Sequence, residues 1–365
     1  MKVALVHEFL TQLGGAERVL QNFLEIWPEP ILHVLIYNNA KTEGIFEKYT
    51  KKISFINNLP GARDDHKIYL ALMPNAIESF SFSGFDVVLS DSSSFAKGAI
   101  TKGQLHICYC HTPTRFLWTE PQSYLNSQPY SKVIKVMALP ILSWIRRWDY
   151  KASNRPHYFI ANSKNVQDRI KKYYGRESEV IYPPVDAELF TPTGTKQNYF
   201  LVASRLEPYK KVELVIEAFK KLNLPLKVVG SGTREKILKE QAGANIEFLG
   251  RVTDEELRKL YSEARAYVFP AEEDAGIMLL ESQACGTPVI AYKAGGALEL
   301  LKENETGIYF AEQTAESIIG AVKQFESMSF DPIIIRKFAQ QFDKKIFQQK
   351  IKEFVELKYK EFYQK

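Results

Sequence analysis

Short apolar runs alternate with longer amphipathic stretches along the whole chain. In the first half, residues 3–6, 31–36, 86–89, 105–110 and 158–161 read as strands. After the first of them comes a glycine-bearing turn, Gly14-Gly15, and then Val19, Leu20, Phe23, Leu24 and Trp27 at helical spacing. The second half repeats the scheme, with strand-like runs at 199–203, 226–229, 246–249, 266–269, 288–291 and 307–310. Between them, residues 211–222 place Val212, Val215, Ala218, Phe219 and Leu222 on one helix face, and residues 253–264 open with the capping-box spacing of Thr253 and Glu256. Strands alternating with helices predict parallel sheets covered on both faces, an α/β class of doubly wound, Rossmann-like domains.

Periodicity lapses over 182–197, which holds Pro183, Pro184, Pro192 and Gly194 and reads as a linker. The expected division is therefore 1–190 and 191–343, each a Rossmann-like domain. The helix expected over 344–365 would pack back on the first domain. Two such domains facing each other predict a ligand cleft at the carboxyl ends of their strands.

A length of 365 residues suits two domains, and 45% hydrophobic with 25% charged residues excludes a disordered or fibrous chain. Three cysteines, Cys108, Cys110 and Cys285, are too few for a disulfide framework and read as buried apolar residues. No run approaches the roughly 18 apolar residues of a spanning helix, so the expected location is cytoplasmic, with peripheral attachment to the inner face of the membrane as an option. The net charge of +5 is too small to indicate a nucleic-acid partner. Its distribution says more: the chain through Tyr182 carries +6 and the remainder −1.

Two clusters carry candidate chemistry. Glu272, Glu273, Asp274, Ala275 and Gly276 follow a strand and lead into a helix containing Ile277, Met278 and Glu281. A glycine there lets backbone N–H groups approach an anion, and Glu281, a turn further in, can accept hydrogen bonds from vicinal hydroxyls. Glu273 lies in the loop and can reach another part of the same ligand. Upstream, Arg205 and Lys210 bracket a turn at a strand's carboxyl end, where two cations suit a diphosphate. Taken alone, each cluster can equally be a solvated loop.

The order and spacing of these residues, with Val229-Gly230-Ser231-Gly232, Gly250-Arg251-Val252 and Gly286-Thr287-Pro288, resemble the retaining GT-B glycosyltransferases of family 4. Gly14-Gly15-Ala16-Glu17-Arg18, His111-Thr112-Pro113 and Ala161-Asn162-Ser163 extend the resemblance through the first half, and the mannosyltransferase-like branch of bacterial polysaccharide assembly is the most similar. The resemblance implies that Glu281 holds the ribose of a nucleotide sugar and that Arg205 and Lys210 bind its diphosphate. It further implies that Glu273 contacts the hexose, that the backbone of Gly276, Ile277 and Met278 supports sugar and phosphate, and that Arg251 and Val252 lie by the base. Gly14 and Gly15 would let the first loop approach the diphosphate, and His111 would lie close to the transferred sugar. Ala275 departs from the family's usual larger residue, which weakens inference about the sugar.

Glycosyl transfer builds negative charge on the departing diphosphate. Arg205 and Lys210 can neutralise it, so no metal ligand and no cofactor is expected; the nucleotide sugar is a substrate. The first donor expectation is GDP-mannose, with UDP-glucose or UDP-GlcNAc as alternatives, and the acceptor is a glycan or lipid-linked saccharide. In residues 132–150, Lys132, Lys135, Arg146 and Arg147 alternate with apolar residues and Trp144 and Trp148, a composition suited to an anionic membrane surface or to a helical hairpin packed on the domain. A related epimerase or phosphorylase, or a non-catalytic membrane-associated subunit of the same fold, are the competing readings. Oligomeric state is not legible, and His7, at the end of the first strand, shows no ligand spacing.

Overall fold

The computed structural model describes residues 1–119 and 131–364, with backbone alone for 132–134. Two compact units emerge: residues 1–182 with 348–365, and residues 183–347. Residues 183–190 and 344–347 thus belong to the second unit rather than the first. The reason is local pairing. Val185 N–H donates to Phe342 O and Lys344 N–H to Val185 O, each at 2.9 Å. The Arg336 guanidinium also donates to the carbonyls of Ala187, Phe190 and Ala284.

In the first unit, β1 (Val3–Leu10), β2 (Ile31–Tyr37), β3 (Lys51–Ile53), β4 (Val87–Ser92), β5 (Leu105–Cys110), β6 (Tyr158–Ala161) and β7 (Glu179–Val180) form a parallel sheet in the order β3-β2-β1-β4-β5-β6-β7. The edge strands β3 and β7 escape a hydrophobic reading because they have only three and two residues and are partly charged. β1 and β4 run past their apolar cores to include His7, Glu8 and Asp91, all buried. The amphipathic helix Gly15–Ile26 covers the sheet with the predicted face, burying Val19, Leu20, Phe23 and Leu24. The last helix spans Lys344–Tyr363, and its part from Gln348 onward belongs to this unit. Gln348 Nε2 donates to Asn22 and Glu25, and Tyr363 OH to Asp86 O.

The second unit holds β8 (Phe200–Ala203), β9 (Leu226–Val229), β10 (Ile246–Gly250), β11 (Tyr267–Phe269), β12 (Val289–Tyr292) and β13 (Gly307–Phe310), parallel in the order β10-β9-β8-β11-β12-β13. Helix Val212–Leu222 buries Val212, Val215, Ile216, Ala218 and Phe219 against it. Helix Asp254–Glu263 opens with the expected capping box. The three cysteines are free and buried. In each sheet the order reverses direction once, between β1 and β4 and between β8 and β11. Loops leave such a switch point on opposite sides, so a crevice opens at the carboxyl ends of those strands.

Candidate active site

The switch point of the first unit carries a trio of His7 and Asp91, both buried, and His111, which is partly exposed. His7 and Asp91 are register partners on β1 and β4. His7 Nδ1 lies 2.9 Å from Asp91 Oδ2, and His111 Nε2, just beyond β5, lies 2.6 Å from Asp91 Oδ1. One carboxylate therefore bridges two imidazoles. Burial drives His7 down, but the hydrogen bond and charge of Asp91, with Glu17 and Glu8 beyond, hold it up at about 9. His111 is likewise raised against its burial by Asp91, and Asp91 is held below the usual carboxylate range against its own burial by both histidines. Neighbouring Glu8 shapes the loop after β4 by accepting from Ser92 Oγ and from the backbone N–H groups of Ser93, Ser94 and Ala96. Of the three, the family resemblance singles out His111 alone. Asp91 lies inside a strand and has no neighbouring motif, and His7 pairs with it across 84 residues of sequence.

Gly14 is extended (φ −146°) and caps the helix that begins at Gly15. A Cβ on Gly14 would stand 3.0 Å from Glu17 Oε2, so glycine here keeps the first loop close to that buried carboxylate.

At the switch point of the second unit, the loop after β8 and the loop after β11 meet through an ion pair between Lys210 and Glu273. Lys210 closes a 3-10 turn, Pro208–Lys210, and is 8% exposed. Arg205 is exposed, with its guanidinium donating to Tyr209 OH. The Glu273 backbone is pinned by Gly296 N–H, which donates to Glu273 O at 2.8 Å. Gly276 adopts φ +83° and starts the helix Ile277–Ala284, with Ile277 and Met278 half-buried behind it. Glu281, the fifth residue of that helix, is 3% exposed and accepts from Tyr261 OH at 3.5 Å. Ala275 packs against the turn that carries Gly296: a Cβ on Gly296 would stand 2.7 Å from Ala275 Cα. Arg251 and Val252 follow β10, and Arg251 Nε donates to Ser231 Oγ at 2.9 Å.

Close approach of backbones builds this edge. Gly230 has φ +122°, and a Cβ there would lie 1.8 Å from Ser204 O. Gly230→Ala is therefore expected to destabilise the protein by about 2–4 kcal/mol, through both strain and clash. A denaturant midpoint equal to that of the wild type would show that the loops after β8 and β9 do not meet this closely.

The two parallel sheets agree with what comparison finds. The model for "Glycosyltransferase Family 4" matches residues 13–189 and that for "Glycosyl transferases group 1" matches residues 188–348. The chain belongs to the family 4, group 1 glycosyltransferases, enzymes of the GT-B fold. An uncharacterized glycosyltransferase of Methanocaldococcus jannaschii is 24% identical over 84% of this chain and 83% of its own length. The O-antigen chain mannosyltransferase RfbU of Salmonella typhimurium is 30% identical, with the match covering 47% of this chain and 55% of that one. Among solved structures, HepE of Anabaena in complex with UDP aligns with a TM-score of 0.73 at 18% identity, covering 98% of this chain and 100% of that one. At that identity the likeness concerns the fold.

Proposed function

We propose that this glycosyltransferase moves a hexose, mannose from GDP-mannose as the first candidate, to a glycan or lipid-linked acceptor, with retention of anomeric configuration and without a metal. The observation that carries the reading is the convergence of Lys210 and Glu273 at the switch point of the second unit. A cation and a carboxylate held together there suit the diphosphate and the hexose hydroxyls of one ligand. In this reading Arg205 and Lys210 take the charge that grows on the leaving diphosphate. Glu281 accepts from the ribose hydroxyls, and Arg251 and Val252 flank the base. Backbone groups at Gly276, Ile277 and Met278 hold the sugar and phosphate, as the glycine start of a helix permits. In the first unit, Gly14 and Gly15 serve the diphosphate, and His111, oriented by Asp91, acts on the transferred hexose. The acceptor attacks on the face the diphosphate leaves, its proton passing to the departing phosphate oxygen. No side chain is assigned as a covalent nucleophile.

A relative named as a mannosyltransferase supports mannose. HepE, crystallised with UDP-glucose, favours the UDP-sugar alternative. A thermal-shift panel of GDP, GDP-mannose, UDP and UDP-glucose separates them, since a ligand of the folded state raises its apparent stability. GDP-mannose is expected to give the largest shift, unchanged by a chelator. A larger shift with UDP-glucose overturns the donor, and no shift with any of the four favours a non-catalytic subunit. Among the described residues no helix is long and apolar enough to cross a membrane. Attachment at the inner membrane face would instead use helix Lys132–Ala152, which exposes Val136, Met137, Leu139, Ile141 and Trp144.

A further inference from the structure

Helix Lys132–Ala152 is fixed by its C-terminal half. Asp149, 1% exposed, pairs with the equally buried Lys97 at 2.5 Å. It also accepts from Thr114 Oγ1 at 2.7 Å and from Trp118 Nε1 and Tyr174 OH at 2.8 Å each. Every oxygen of this carboxylate is thus satisfied, and Trp118 is locked in place. Trp118 in turn carries the guanidinium of Arg146 over its ring, 4.4 Å from the centroid. Beside them opens a cavity of about 570 Å³ lined by Trp118, Ser143, Arg146, Arg147, Tyr150 and Lys151. Among the described residues, none of its three cations has an ion-pair partner.

Helical spacing joins this cavity to an apolar stripe. Ser143, Arg147 and Tyr150 recur three or four residues apart, and Val136, Leu139 and Pro140 continue the same face toward the N-terminus. Val136 is 64% and Leu139 46% exposed. From Val136 onward the face is therefore polarised lengthwise, apolar at Val136, Leu139 and Pro140 and cationic at Arg146, Arg147 and Lys151, which stand beside the rings of Tyr150 and of Trp118 from a neighbouring segment. From Val136 to Arg146 is about 15 Å at ~1.5 Å per residue.

We infer that this face binds a lipid-borne phosphate: a phosphate or diphosphate among Arg146, Arg147 and Lys151, with its alkyl chain along Val136 and Leu139. Arginine fits phosphate oxygens bidentately, lysine adds a point charge, and an exposed apolar stripe lowers its free energy by covering itself with hydrocarbon. The inference rests on the proposed lipid-linked acceptor and specifies it: the acceptor saccharide hangs from a phosphate at this cavity.

The test titrates the full chain with farnesyl diphosphate, inorganic diphosphate, and phosphatidylcholine vesicles carrying phosphatidylglycerol, reading tryptophan fluorescence. Each titration is repeated in Lys210→Ala, which weakens the diphosphate site of the second unit, and in the exposed-surface triple variant R146Q/R147Q/K151Q. Farnesyl diphosphate is expected to bind the wild type and Lys210→Ala alike, and to lose at least about tenfold in affinity in the triple variant as charge-assisted contacts go. Val136→Ser with Leu139→Ser should weaken farnesyl diphosphate and leave inorganic diphosphate unchanged. Equal affinity for inorganic diphosphate, unchanged binding in the triple variant, or capture by vesicles without binding of farnesyl diphosphate each overturns the inference. Donor shifts measured in the same triple variant keep the two readings apart: they stay at wild-type values if only the lipid site fails.

Discussion

Lys210→Ala and Glu273→Ala are each expected to lower kcat for transfer by about 10²–10³, the usual cost of removing one preorganised charge that meets a developing one. Both should remain folded. The pair lies at a loop junction, with 10% and 25% of its side chains exposed, so water replaces much of what is lost. The two variants should fail differently. Without Lys210 the leaving diphosphate keeps its charge, and loss falls on kcat. Without Glu273 the hexose loses an acceptor and Lys210 loses the partner that holds it in place, so KM rises as well. Circular dichroism and thermal melts establish folding, and radiolabelled-donor transfer reads activity. Near wild-type turnover in both variants would remove the second unit's switch point as the donor site.

Asp91→Asn should have the next largest effect. The substitution keeps shape and removes the charge that both imidazoles share. Transfer is expected to fall about 10²-fold, the scale of misplacing one acid–base or orienting group. A second readout distinguishes orientation from simple loss of structure. His7 stands at about 9 in the folded chain against an ordinary value of 6.5. A raised folded value contributes stability that is fully present below about 6.5 and is lost as pH rises through about 9. The shift corresponds to on the order of 3 kcal/mol across that window, at ~1.36 kcal/mol per unit. Asp91, held low, contributes in the opposite sense: its share is present above the ordinary carboxylate value and is lost as pH falls through its folded one. Urea denaturation from pH 6 to pH 9.5 should therefore show a decline in the wild type that flattens in Asp91→Asn and in His7→Gln. An equal slope in all three would show that the trio does not share its charge.

Much of the second unit was legible from residue order. Its strands are apolar, its helices have clean faces, and its candidate site residues sit in loops and first helical turns beside glycines whose spacing is distinctive. Even the capping box at Thr253 was readable, because it is a contact between residues three apart. What escaped were features set by distant neighbours. Lys210 and Glu273 are 63 residues apart, and only the sheet order brings their loops together. The domain boundary was displaced because the prolines at 183 and 184 precede a segment whose backbone pairs with Phe342 and Lys344, 150-odd positions away, a pairing no local composition signals.

By itself the sequence determined the α/β class, the two-unit organisation, most strand and helix cores, and the family motifs, since all of these rest on periodicity and short spacing. Tertiary structure alone decided that Asp91 joins His7 to His111, that Asp149 locks Trp118 against the helix of Arg146, and that the exposed face of this helix runs from apolar at Val136 to cationic at Lys151. Those are properties of burial and of long-range register, and a polar residue inside a strand or a charge on a helix shows its role only once the groups facing it are in place.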